Sequence, residues 1–591
     1  MSAYNKYFQD ELLYLRELGR EFGRAYPLAA PMLADRGADP DVERLLEGVA
    51  FLTGRIRQKL DDELPEAIHS IAALLFPQLL RPLPGCAILE LSPLPSAMRE
   101  PTTVPAGAEF GSVSVEGTSC RFRSSWDMEL IPWSLEDARL ESLTGGRQQL
   151  RISMRVDGSL PVGDIAPAKT RFHLAGDVHA AFDLLMWIST YLEDAVLAEP
   201  RTGHVNEREI SLGKAVQIVG YHDDEALLPL ASSMFPGFRL IEEYYTLPQK
   251  FAFFDIEGLG TAAAFGATVE RFDILLRFTR ALPPEFKVDR DWLKLHCVPV
   301  ANVFPTTAEP IRVTPTREQF LVRPAGLSPG HAEVYAILAA SAVPRGSVER
   351  VLVPSFFDFS HADARASGAE AFYTTHLSTA IVGDGTDVSI SFGSAENSGP
   401  VALDADVVSL DLLATNGKLA GALRAGDISS PIIGSPAVAT FRNLGAVTPP
   451  VPVTLGRELH WRAIAHAAMG LRSLATVEVL RGMLDIYNRQ ALYDRHAARA
   501  NELRVAAIQA VKVSPLERLY RGAPVRGVSI DVDVDEKGFL GVGDVFVFSA
   551  ILDRLFASYV SINSFSRTSL RGTGTNLRFA WPPRSGNETL L

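Results

Sequence analysis

The residues with the clearest chemical potential are a histidine set between carboxylates: Asp358, His361 and Asp363 in the segment SFFDFSHADARA. A carboxylate close to an imidazole can tune its basicity or orient it toward a metal, so the group could act as a base or as part of a ligand set. No further ligands accompany it, and the segment reads as a polar loop between a strand and the next element. His460 and His466, six apart on a helix-like stretch, face different sides and do not suit joint ligation. Gly572 and Gly574 in SLRGTGTNLRF have the look of a phosphate-cradling loop. No Lys-Ser/Thr pair follows, and the next element reads as a strand, so a tight turn is expected. Asp531, Asp533, Asp535 and Glu536 could offer oxygens to calcium, yet their alternation with valines places them along the wet face of a charged edge strand. Nucleophile elbow, HExxH, Walker and GxGxxG patterns are absent. Cys86, Cys120 and Cys297 are too scattered for a disulfide framework or a thiolate zinc site and fit a reducing compartment. No catalytic residue, cofactor or metal is therefore expected.

The elements that would position these residues form an α+β, multidomain chain. Residues 1–85 read as a helical region. Phe8, Leu12, Leu15 and Phe22 recur at helical spacing, and Asp39-Pro40 offers a cap followed by a first-turn proline. Val42, Leu45, Leu46, Val49, Leu52, Ile56 and Leu60 then run as one apolar stripe, and Pro65 opens a third helix carrying Ile68, Ile71, Leu75 and Leu79. Residues 86–440 shift to a period of 2 with many turn residues, a β-rich middle region expected to hold two subdomains. In its clearest strand, Leu150, Ile152, Met154 and Val156 alternate with Arg151, Ser153 and Arg155, as on a sheet with one wet face. VYAILAAS, VERVLVPSF, DVSISF and VVSLDLLAT are further strands, and AAFDLLMWISTYL is an inserted helix. PPVPV at 449–453 reads as a linker. Residues 441–591 form a mixed α/β C-terminal domain: helices around Trp461 and Val477, a strand over Val528–Val534, VFVFSAILDRLFASYV passing from strand to helix, and a closing strand at NLRFAW.

With 591 residues, 47% hydrophobic and 21% charged, the chain belongs to the globular class and is long enough for several cores. Its net charge of −13 excludes a protein whose main work is gripping phosphate backbones. The balance is uneven: from Asn443 onward 18 Lys+Arg face 13 Asp+Glu, about +5, leaving about −18 before it. The N-terminal segment has acids among its apolar residues and lacks a signal-peptide core, and no apolar run reaches about 18 residues. Membrane contact is expected only through partners.

One stretch is more specific than any candidate site: DPDVERLLEGVAFLTGRIRQKLDDELPEAIHSIAALLFPQLLRPLP, from Asp39 to Pro84. It resembles the hallmark of TssF, a subunit of the bacterial type VI secretion baseplate. Further matches follow in family order: Tyr14–Pro27, EYYTLPQKFAFFDIEGL at Glu243–Leu259, GFLGVGDVFVFSAILDRLFASYVSINSF at Gly538–Phe565, and WPPRSG at Trp581–Gly586. Residues 260–440 match most weakly. ATNGKLAGAL at Ala414–Leu423 stands where the family pattern has a cysteine-containing segment, and Gly470 stands where asparagine is usual. The resemblance implies a fold like the wedge proteins of contractile phage-tail baseplates and a scaffold in the cytoplasm, docked at the inner membrane through the baseplate. It also implies partners: TssG in a wedge core, a second TssF copy, TssK, TssE, and the VgrG hub and sheath, with no nucleic acid.

Beside that role, the stripe Leu45, Val49, Leu52 and Ile56 is expected in an intersubunit helical bundle, although packing within its own domain fits the pattern equally. Arg55, Arg57 and Lys59, followed by Asp61, Asp62 and Glu63, suit charged contacts that set orientation. Trp581, on a backbone stiffened by Pro582 and Pro583, suits an interface or a core. The competing reading is a β-rich hydrolase acting on carbohydrate, with paired carboxylates facing each other across a cleft.

Overall fold

The computed structural model describes residue 8, residues 11–15, 18, 44–54 and 72–74, and most of 76–586; undescribed within that span are 95–97, 99–100, 157–166, 200–207, 230–234, 266–269, 284–285, 315, 346–348, 357–370, 381–384, 395–404, 454–475, 521–522 and 576. Asp358, His361, Asp363, His460, His466, Ile56, Arg55, Arg57 and Lys59 lie outside the described residues, as do the Asp39-Pro40 cap and the helix around Trp461. The chain divides into two compact units, Met1–Leu75 with Gly456–Ile464, and Phe76–Leu455 with Ala465–Leu591.

In the first unit the described residues are helical, over 11–15, 44–54 and 72–74. In the second, β-structure dominates, because its segments alternate at period 2 and are separated by turns. One five-stranded sheet runs Ala439–Asn443, Cys86–Pro93, Cys297–Ala301, Thr118–Ser124 and Glu109–Val115. Another runs Glu209–Gly213, Leu192–Ala198, Arg271–Phe278, Gln148–Val156 and Trp133–Ser142. Phe304–Thr307, Ala405–Thr415, Glu333–Pro344 and Val351–Leu352 form a third, and the hairpin Ala371–Thr379 with Thr386–Ser394 shares a core with it through Ile390, Phe392, Val408 and Leu412.

Among the described residues, the helices of this unit are α1 (Val178–Tyr191), α2 (Pro236–Thr246), α3 (Val477–Ile486), α4 (Arg495–Ala506) and α5 (Val542–Ala557). The C-terminal sheet contains one parallel pair, Ala523–Val534 beside Phe565–Gly572, joined through α5. Parallel neighbours require such a crossover, and this accounts for a long apolar helix between two strands. Gly543, near the start of α5, has no room for a side chain: a Cβ there would lie 2.1 Å from the Phe182 carbonyl carbon of α1.

Four expectations are corrected. VFVF does not pass from strand to helix: Val545–Phe548 are helical and buried, and an apolar run this short carries no period that separates the two. The strand bearing Asp531 and Asp533 is not an edge, since Ile508–Tyr520 flanks it on one side and Phe565–Gly572 on the other. Its acids find partners on the latter: Asp533 takes two hydrogen bonds from Arg571, at 2.9 and 3.0 Å, and Asp531 accepts from Ser569. Arg151 is not on a wet face; it is buried between Glu141 and Asp273 on neighbouring strands, while Arg155 stays exposed. PPVPV is extended but is no free linker. Val451 exchanges backbone hydrogen bonds of 2.8 and 2.9 Å with Leu83, and its side chain is buried.

Candidate subunit interface

The helix over 44–54 buries two small residues and half-buries Leu46, while most of its large apolar residues are exposed. Ala50 and Gly54 are buried, while Leu45, Val49 and Leu52 are 69%, 44% and 61% exposed. At about 100° per residue, the three lie within about 60° of one another around the helix, opposite Ala50 and Gly54. Phe51 is also exposed, and Gly48 has nothing within 4 Å of where a Cβ would stand. Burying an amphipathic stripe is what stabilises most helices in proteins, and this stripe keeps much of its surface in water. In the segment over 8–18, the expected face of Phe8, Leu12 and Leu15 is half-buried, and Leu13, Tyr14 and Leu18 are exposed. Leu13, Tyr14 and Leu18 lie off the stripe that Phe8, Leu12 and Leu15 define in the sequence. A helix apolar on more than one side was the available signal.

Trp581 is half-buried against α5. Its Nε1 donates to Ser549 Oγ at 3.1 Å and its ring centroid lies 5.5 Å from that of Phe546. Its indole N–H is thus satisfied inside its own domain.

The fold also joins charges that lie far apart in the sequence. α2 is buried along almost its whole length, and Arg239, Glu242 and Glu243 are all nearly inaccessible. Glu243 accepts from Arg239 (3.0 Å), from Lys250 and from the Leu227 N–H (2.7 Å). Burial alone pushes its carboxyl up, but Lys250 and Arg239 outweigh that and hold it below the usual range. Burial brings Lys250 down to about 8. Glu242 pairs with Arg489 at 3.0 Å, and Arg489 also donates to the carbonyls of Gln78 and Arg81. Arg504 bonds Asp544 at 2.9 Å, and Asp544 accepts from Tyr244 as well. These contacts bind α2, α4, α5 and the 78–81 turn into one body. They are compensated ion pairs, and none forms a pair of unpaired carboxylates across a cleft.

The loop at Gly572 and Gly574 does receive an anion, and the anion belongs to the chain. The N–H groups of Gly574 and Thr575 donate to the Glu536 carboxylate at 2.9 and 3.0 Å. Among the described residues, no group of three or more His, Cys, Asp or Glu could hold a metal, and no helix is long and apolar enough to cross a membrane.

A family model described as "Type VI secretion system, TssF" matches residues 1–588. The chain belongs to the TssF family. The type VI secretion system component TssF1 of Pseudomonas aeruginosa is 26% identical to it over 99% of both sequences. This TssF-family chain also resembles a chain of a TssK-TssF-TssG baseplate subcomplex, with a TM-score of 0.75, 28% identity, and coverage of 92% of this chain and 99% of that one. A chain in a baseplate complex of the type VI secretion system matches with a TM-score of 0.63 and 26% identity, over 99% of this chain and 100% of the other.

Proposed function

We propose that this chain is a structural subunit of a type VI secretion baseplate, in which it joins TssG and TssK, and that it catalyses no reaction. The observation that carries the reading is the exposed stripe Leu45, Val49 and Leu52, a helical surface whose large side chains keep much of their area in water. Likeness to a chain of a TssK-TssF-TssG subcomplex over nearly its full length supports those two partners. The stripe supplies the apolar centre of the contact, helices of TssG supply the opposing knobs, and Ile56 extends the seam. Arg55, Arg57 and Lys59 orient the approach at its rim. A second copy of the chain, TssE, the VgrG hub and the sheath belong to the same assembly in this reading, which sits in the cytoplasm and reaches the inner membrane through its partners. Domains bounded at 1–85, 86–440 and 441–591 divide the work between the helical contact region and its β-rich support. Co-expression with TssG and TssK followed by size-exclusion chromatography tests the proposal. Co-elution of all three is expected; elution of this chain alone as a compact monomer would refute it.

A further inference from the structure

A cavity of about 560 Å³ opens between the Glu333–Pro344 strand, the Thr386–Ser394 strand and the extended segment Pro449–Pro452. That volume lies within the range of built ligand sites, roughly 300–1,000 Å³. Its walls include Leu83, Leu321, Val334 and Val451, and the half-buried carboxylate of Glu333 stands between two glycines. A Cβ at Gly385 would fall 2.5 Å from Glu333 Oε1, and one at Gly417, whose φ is +53°, would fall 2.7 Å from it. Gly417 is where the backbone must turn left-handed, and the turn is fixed from below. Asn302 Oδ1 accepts from Asn416 N at 2.7 Å and from Thr415 Oγ1 at 2.8 Å. The carboxylate is therefore held in a shaped seat.

Among the described residues, nothing in that seat bonds it: no hydrogen bond reaches Glu333 and no cation lies within ion-pair distance. Every buried carboxylate described above has such a partner. Arg323 and Lys418 line the same cavity at greater range, with Asp387, Glu309 and Tyr493. Removal from water, reinforced by the negative field of Asp387, pushes the Glu333 carboxyl up to about 7. An isolated, desolvated carboxylate is costly, and a cation offered to it recovers that cost.

We propose that the cavity is a socket for the cationic side chain of an arginine or lysine carried on an extended segment of another protein. Glu333 would take the charged head, and the proline and aliphatic walls would take the methylene stem. The source of the cation rests on the assembly reading above, but the socket itself is tested without any partner.

The test uses the purified full chain and butylguanidinium as the probe, with butylurea as its uncharged counterpart. Thermal unfolding and titration calorimetry are followed between pH 5 and pH 8. Butylguanidinium is expected to raise the melting temperature and butylurea to have no effect. Because binding requires the ionised carboxylate, affinity should fall about tenfold for each pH unit below 7. Glu333→Gln should fold, melt higher than the parent at pH 8 in the absence of probe, and lose the response to butylguanidinium. Equal responses in parent and variant would overturn the proposal, as would a response independent of pH in the parent alone. So would a parent with no response to butylguanidinium; a fall in its melting temperature at pH 8 on Lys418→Ala would then identify Lys418 as the counter-ion already in place.

Discussion

Leu52→Asp separates a stripe that waits for a partner from one that packs at home. Fully burying a leucine contributes about 1.5–3 kcal/mol, and Leu52 keeps 61% of its surface in water. Covering it in a complex is therefore worth about 1–2 kcal/mol. An aspartate at the same place forfeits this and must also lose its hydration or its charge in an apolar seam, adding at least another 2 kcal/mol or so. The sum, about 3–4 kcal/mol, corresponds to a loss of affinity for TssG of at least a hundredfold. The isolated chain should hardly notice, since an exposed substitution of this kind costs about 0.5 kcal/mol through helix propensity. Titration of the purified variant against TssG, with circular-dichroism melting of the variant alone, reads both quantities. Undiminished affinity in a folded variant would remove Leu52 from the interface. A drop of more than about 2 kcal/mol in the isolated chain would show that the stripe is packed inside its own unit.

The buried network offers a second experiment. Lys250→Met leaves Glu243 with Arg239 and backbone donors alone and should cost about 3–5 kcal/mol in denaturant unfolding, while Glu243→Gln added to it should recover part of the loss. A coupling energy near zero would show that the two do not act as a pair. Gly543→Ala drives a methyl group into the backbone of α1 and should lower stability by about 1–3 kcal/mol or more, read as a fall in melting temperature. His173 and His296 are buried and neutral, burial bringing them down to about 3 and about 4, and His296 Nε2 accepts from the Ile131 N–H. Below about pH 6.5 the unfolded chain takes up protons that the fold refuses, so stability should fall as pH drops from 6.5 toward 4. At pH 5 the loss is about 2 kcal/mol for each histidine, and His296→Gln should remove its own share from a series of denaturant midpoints.

Period and punctuation in the chain were enough to identify helical and β-rich regions, because side-chain alternation and turn residues are local properties. Gln148–Val156, Ala405–Thr415, Thr386–Ser394 and α1 lie where the alternation or the helical spacing places them. The hallmark stretch from Asp39 to Pro84 and the ordered matches after it pointed to the TssF family without any coordinates. Local pattern cannot say which face of a strand or helix meets what. Arg151 reads as a surface residue until Asp273, 122 positions away, arrives opposite it on the next strand. Asp531 and Asp533 read as an edge until Phe565–Gly572 returns parallel beside them through α5. The stripe at Leu45, Val49 and Leu52 was visible in the sequence, but its exposure was not, since exposure depends on every other segment that could have covered it. Glu333 is the extreme case. Nothing in its neighbours along the chain marks it, and its isolation arises only where Gly385 and Gly417, from two other segments, close around the same carboxylate.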